Sequence, residues 1–240
     1  VRALDVRVKL NQIRCIEGGK GIAAESCLWT LFFKIDGETA GLSLAHNLRG
    51  AATVRGMPEG RGRLPDADPG EAIAIPSLVG EFNTSLRPIP LEVPAGNTRE
   101  VGGVVGCVAT LIEYGFSIAA LDKALRDCLE RLVPTLHLWP TEVGRAAMRL
   151  KIAAALTRAV EDGIRGWGRL EGLDNMDDRI NGGVFCYDHA QLEQAVGTPG
   201  LEIYRRWRGG GDWELRGRVT AGLAWIFEPP ENGIFPSGQP

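Results

Sequence analysis

Leu4-Asp5-Val6-Arg7-Val8-Lys9-Leu10-Asn11-Gln12-Ile13-Arg14-Cys15-Ile16 is the stretch on which the reading of the fold turns. Leu4, Val6, Val8 and Leu10 alternate with Asp5, Arg7 and Lys9. A period of two with one apolar and one charged set describes a strand with one buried and one wet face. The alternation slips by one residue at Asn11-Gln12 and resumes at Ile13, and a β-bulge is the local structure that absorbs such a slip.

Outward from this strand, Cys27 to Ile35 (Cys-Leu-Trp-Thr-Leu-Phe-Phe-Lys-Ile) is dense in aromatic and aliphatic residues and predicts a second strand, closed by turn chemistry at Asp36-Gly37. Residues 50–70, rich in Gly, Pro, Arg and Asp, show no period and read as a long exposed loop. Short strands follow at Glu71 to Pro76 and Val101 to Glu113. The stretch from Phe82 to Glu92 is extended and held to an edge or a connection by Pro88 and Pro90. Gly102, Gly103 and Gly106 in the strand from Val101 to Glu113 predict close backbone approach or a bulge.

The period then changes. Ile118, Leu121, Leu125, Leu129 and Leu132 recur at three and four, which predicts an amphipathic helix over 118–133 with Ser117 as its N-cap and Pro134 as its end. Thr141 caps a second helix running to about Ile164, finished by Gly163, Gly166 and Gly168. Strand character returns at Ile180 to Tyr187, at 201–207 and at Trp213 to Phe227, with a Gly209-Gly210-Gly211-Asp212 turn before the last. Strands, two helices, then strands, with no βαβ alternation, disfavour a parallel doubly wound sheet. The expected fold is mostly β (α+β): an antiparallel β-sandwich with an inserted α-helical hairpin. It is read as one domain over 1–240, with the sandwich from 1–116 and 173–228, the insertion at 117–168 and an irregular tail at 229–240.

Composition narrows the function classes. Glycine and proline make up 32 and 14 of 240 residues and gather at strand ends, in 50–70 and in the tail, as a looped sandwich requires. The 27 basic and 30 acidic residues balance to −3, so the basic excess of a nucleic-acid domain is missing and nucleic acid is not an expected partner. Five cysteines, an odd count with no CxxC spacing, and three histidines do not make a zinc site. Cysteines in apolar runs behave as small buried hydrophobes and point to a reducing, cytoplasmic setting, or a secreted one if a leader was removed. No run of 18 apolar residues marks a transmembrane helix.

Asp174-Asn175-Met176-Asp177-Asp178-Arg179-Ile180-Asn181-Gly182 packs hard oxygen ligands into one loop before a strand, the chemistry calcium needs. Asp177, Asp178 and Ile180 resemble the Asp-Asp-x-Ile-Gly calcium loop of C2 domains, with Asn181 inserted before Gly182. The resemblance implies a C2-like general plan and calcium held by Asp174, Asp177 and Asp178, joined by Asp66 and Asp68 from a second acidic loop. Arg61 and Arg63, and Arg205, Arg206 and Arg208 beside Trp207, form two basic clusters suited to an interface or to an anion. Ser43 and Ser77 lack a nucleophile elbow, Cys27 has no local base, and His46, His137 and His189 are scattered. The leading expectation is a non-enzymatic interaction or assembly module that binds a protein partner or itself through loops and sheet surface. Calcium-dependent binding of a membrane surface or ligand is the second, and an enzyme with a site assembled from distant residues is the third.

Overall fold

The computed structural model describes residues 1–18, 26–58, 61–65, 67–91, 100–113, 118–138, 141–170, 181–208 and 211–224. A five-stranded antiparallel sheet is built on β1 (Leu4–Gly18), which pairs along one edge with β13 (Gly211–Leu223), itself paired to β12 (Leu201–Arg208). The other edge of β1 is shared by β6 (Ala72–Ala74) and β7 (Glu81–Leu86). The second sheet has four antiparallel strands in the order β11 (Asn181–Asp188), β10 (Val104–Glu113), β2 (Ser26–Ile35), β5 (Thr53–Gly56). Two small ribbons, β3 (Ala40–Leu42) with β4 (Leu48–Gly50) and β8 (Ile89–Pro90) with β9 (Glu100–Val101), complete the strands among the described residues. The helices are α1 (Ser77–Gly80), α2 (Ile118–Leu132), α3 (Glu142–Leu170) and α4 (His189–Ala195).

The slip in the first strand is a bulge. Pairing steps from Leu10–Gly217 to Gln12–Arg216 and leaves Asn11 over. The extra residue moves the buried set from Leu4, Val6, Val8 and Leu10 to Ile13 and Cys15, so the strand keeps one apolar face throughout.

β2 shows how the layers stack. Its even-numbered residues meet the first sheet and α1, which joins β6 to β7: Thr30 Oγ1 donates to Val79 O of α1 at 2.5 Å, and the Phe32 and Phe82 rings stack 5.5 Å apart. Its odd-numbered residues face the helical hairpin. A Cβ on Gly56, the partner of Leu31, would lie 2.2 Å from Asp122 Oδ1 of α2. One on Gly182, across from Thr110 and so from Trp29, would lie 3.8 Å from Val160 Cγ1 of α3. A strand buried on both faces reads as a near-continuous apolar run, which is what Cys27 to Ile35 is. The architecture is therefore the expected mostly-β, antiparallel sandwich, with the hairpin of α2 and α3 between neighbouring strands β10 and β11 and packed on the outside of the second sheet.

Some boundaries differ. Within 50–70, read as loop, β5 pairs with β2 and Met57, Leu64 and Ala67 are buried. α3 runs to Leu170, through the three glycines expected to end it. Gly163 has a packing role: a Cβ there would lie 3.3 Å from Leu121 Cδ1 of α2. Thr141 caps α3 as expected, its Oγ1 accepting the Gly144 N–H at 3.2 Å. α4 was not foreseen, although Asp188 and Gln191 form a reciprocal capping box. The Ser117 cap, the turn before β13 and the tail lie outside the described residues.

The clasp between β1 and β7 carries a pH signature. Arg7 Nη2 lies 2.9 Å from Glu81 Oε1, and this hydrogen bond, helped by Asn83, lowers the Glu81 pKa to about 2. A depressed folded pKa contributes stability above the unfolded value and loses it as pH falls through the folded one. The denaturation midpoint should therefore fall between about pH 4.5 and pH 2, and Glu81→Gln should flatten that part of the profile. An unchanged slope in Glu81→Gln would refute the assignment.

Candidate functional site

One end of the sandwich gathers most of the buried charge. β2 ends at Ile35, and Asp36 in the following turn is completely buried. Its Oδ1 accepts the Glu38 N–H at 3.3 Å, while Oδ2 accepts the Arg87 N–H at 2.9 Å and Lys34 Nζ at 3.0 Å. Lys34 is 3% exposed and spends its other two protons on the Glu38 carboxylate and on Ser85 O at 3.0 Å. All three ammonium donors are thus engaged. The Lys34 ammonium holds the Glu38 carboxyl below the usual carboxylate range. At Gly37 an added Cβ would lie 1.8 Å from Pro88 O, so only glycine lets the two chains meet here.

Close by, β11 ends at Asp188, buried beside α3. One carboxylate oxygen accepts from Arg149 and lies 4.0 Å from Arg145; the other accepts the Gln191 N–H of α4 at 2.9 Å. His189, the first residue of α4, is buried too. Its Nε2 donates to Arg2 O at 2.6 Å, its backbone N–H bonds Gly103 O at 2.9 Å, and its Nδ1 lies 4.0 Å from Glu193 Oε2. His189 and Asp188 are both buried at a strand-to-helix junction. A cavity of about 500 Å3 adjoins this end, between Arg2, Ala3, Pro88, Glu100, Leu223 and Ala224. Every buried charge here faces an opposite charge or a hydrogen-bond partner, which locks elements together and leaves little for acid–base work.

The thiols are equally quiet. All five cysteines are free. Burial raises Cys27 to about 11 and Cys186 to about 12, and it also raises Cys15, Cys107 and Cys128. A thiol protonated at neutral pH is a poor nucleophile and metal ligand.

A different feature stands on the outside of the hairpin. α3 buries Met148, Ile152, Leu156, Val160 and Ile164 against the fold. On the opposite side Val143 is 81% and Leu150 71% exposed, and Ala147 and Ala154 between and beyond them are exposed as well. Steps of four, three and four place these residues in one row along the helix. The sequence reading missed this row, because a helix with apolar residues on both sides shows no clean polar face. The spacing itself was there to be seen.

No family model, curated protein or solved structure matches this chain.

Of the residues singled out from sequence, Asp66, Asp174, Asp177 and Asp178 lie outside the described residues. Asp68 is exposed, and its N–H bonds Glu71 Oε2 at 3.0 Å. No group of three or more metal-ligating side chains occurs among the described residues. Arg61 and Arg63 are exposed beside the N-terminal end of β2, where Arg63 bridges to Cys27. Arg205, Arg206 and Arg208 are exposed on β12. Trp207, grouped with them in the sequence as part of an interface, is instead buried opposite Trp213, because alternation on β12 turns it inward with Ile203. No helix among the described residues is long and apolar enough to cross a membrane.

Proposed function

We propose that the protein is a non-enzymatic interaction module that docks a protein partner, or a second copy of itself, on the outer face of α3. The exposed Val143–Ala147–Leu150–Ala154 row carries this reading. Each large aliphatic side chain gains roughly 1.5–3 kcal/mol when covered, and a row at helical spacing is how an amphipathic partner is read. The saturated polar end and the buried thiols are consistent with a scaffold that holds the hairpin in place.

The test is a photo-crosslinker introduced at position 150 in the native host. A discrete adduct, to a partner or to a second copy, is expected there, and none from the same group at exposed Glu130 of α2. Leu150→Lys should abolish the association while leaving the melting temperature unchanged, since Leu150 contributes little to the core. Equal adducts at both positions, or none at 150, overturn the reading. Calcium-dependent binding and the C2-like plan that suggests it rest on the sequence of the acidic loops; a melting temperature raised by millimolar calcium is the result that would support them.

A further inference from the structure

The outer face of α3 is asymmetric across its width. Lys151 lies four residues after Ala147 and three before Ala154, and Arg158 lies four after Ala154. Helical spacing puts both cations on the same side of the Val143–Ala147–Leu150–Ala154 row, two turns apart. Both are exposed. Lys151 Nζ donates to Thr135 O at 2.6 Å and keeps two further protons, while Arg158 makes no hydrogen bond or ion pair among the described residues. The other side of the row carries the half-buried Ala146 and Ala153. The next carboxylates along α3, Glu161 and Asp162, stand beyond the last apolar residue of the row, and Asp127 of α2 is held by Lys123 at 2.6 Å. The large side chains, Val143 and Leu150, are seven residues apart with an alanine between them, the spacing of a helix–helix seam. A membrane-binding face is broader and richer in aromatic residues.

Taking α3 as the docking face, we propose that its occupant is a single amphipathic helix of a protein partner, with carboxylates along one flank that meet Lys151 and Arg158. The apolar seam supplies the contact, and the two cations select the partner and set its register. A second copy of α3 fits less well. Packed antiparallel, it would set Lys151 and Arg158 against their own counterparts; packed parallel, it would set them against Ala146 and Ala153.

The probe is a capped peptide of three heptads with Leu at d, Ala at a and Glu at every e and g position. Its control carries Lys in place of Glu. Titrated into the full chain, the Glu peptide should bind about tenfold more tightly than the Lys peptide, by a margin that shrinks as salt rises. Lys151→Glu with Arg158→Glu should reverse the preference. Arg158→Glu alone, which breaks no bond, should shift it part of the way at an unchanged melting temperature. Leu150→Gln should weaken both peptides alike. Equal binding of the two peptides, no binding of either at millimolar concentration, a preference unmoved by charge reversal, or binding to phosphatidylserine vesicles that needs the same two cations would each overturn the proposal. A photo-adduct at position 150 that survives the charge reversal, or that proves to be a second copy, keeps α3 as a docking face and overturns the acidic helix alone.

Discussion

Lys34→Met should destabilise the protein by about 3–5 kcal/mol, the cost of leaving a buried charge without its partner. Methionine keeps the length of the side chain and its apolar stem, so the loss isolates the ammonium. Asp36 is completely buried, and without Lys34 its carboxylate keeps only the Glu38 and Arg87 backbone N–H groups. Ser85 O on β7 loses its Nζ donor at the same time, which loosens the connection between the sheets. Urea denaturation reads the loss as a lower midpoint with an unchanged slope. In a double-mutant cycle, Lys34→Met with Asp36→Asn should lose clearly less than the sum of the single changes, because Lys34→Met strands the buried Asp36 carboxylate and the double variant does not. Additive losses would mean that the two groups are not coupled.

Asp188→Ala is the second large effect, at about 2–4 kcal/mol. Loss of an N-cap costs about 1 kcal/mol, and stranding Arg149 adds to it. The Arg149 side chain is 23% exposed, so water compensates part of that second cost. Asp188→Asn can still accept the Gln191 N–H and should recover the capping share alone. Amide exchange within α4 separates the parts: it should rise in Asp188→Ala and stay near wild type in Asp188→Asn. If both variants lose the same stability, the cap contributes nothing.

Much of this fold could be read from periodicity, and the exceptions have physical causes. The bulge at Asn11 was visible because a slip in a period of two moves every later side chain. β2 was visible as a strand, but not its position between a sheet and a hairpin, since an apolar run does not say what covers each face. β5 has four residues, too few to show a period, and it lies in a segment rich in Gly and Pro. The glycines near the end of α3 were read as a stop because each costs about 1 kcal/mol in a helix, a cost that packing against α2 overrides at Gly163.

The site was harder to see. Lys34 and Asp36 looked like the end of a strand and a turn; their partners at Ser85 and Arg87 lie some fifty residues away, and only folding brings them together. The basic cluster on β12 is contiguous in sequence, but burial divides it, with Trp207 buried and Arg205, Arg206 and Arg208 exposed. The outer row on α3 escaped notice for the opposite reason: its residues are ordinary for a helix, and only the structure shows that nothing in the described fold covers Val143 and Leu150.

The pairing of Leu4 with Leu223 has a consequence for biogenesis. Two paired strands are more than two hundred residues apart in the chain, and synthesis at about 5–20 residues per second separates them by about 10–40 s. During that interval β1 can recruit β6 and β7, but its other edge must wait on the ribosome. Nascent chains of this protein should therefore depend on whatever shields that edge, and refolding of the finished chain, where β13 is present from the start, should follow a different order of events.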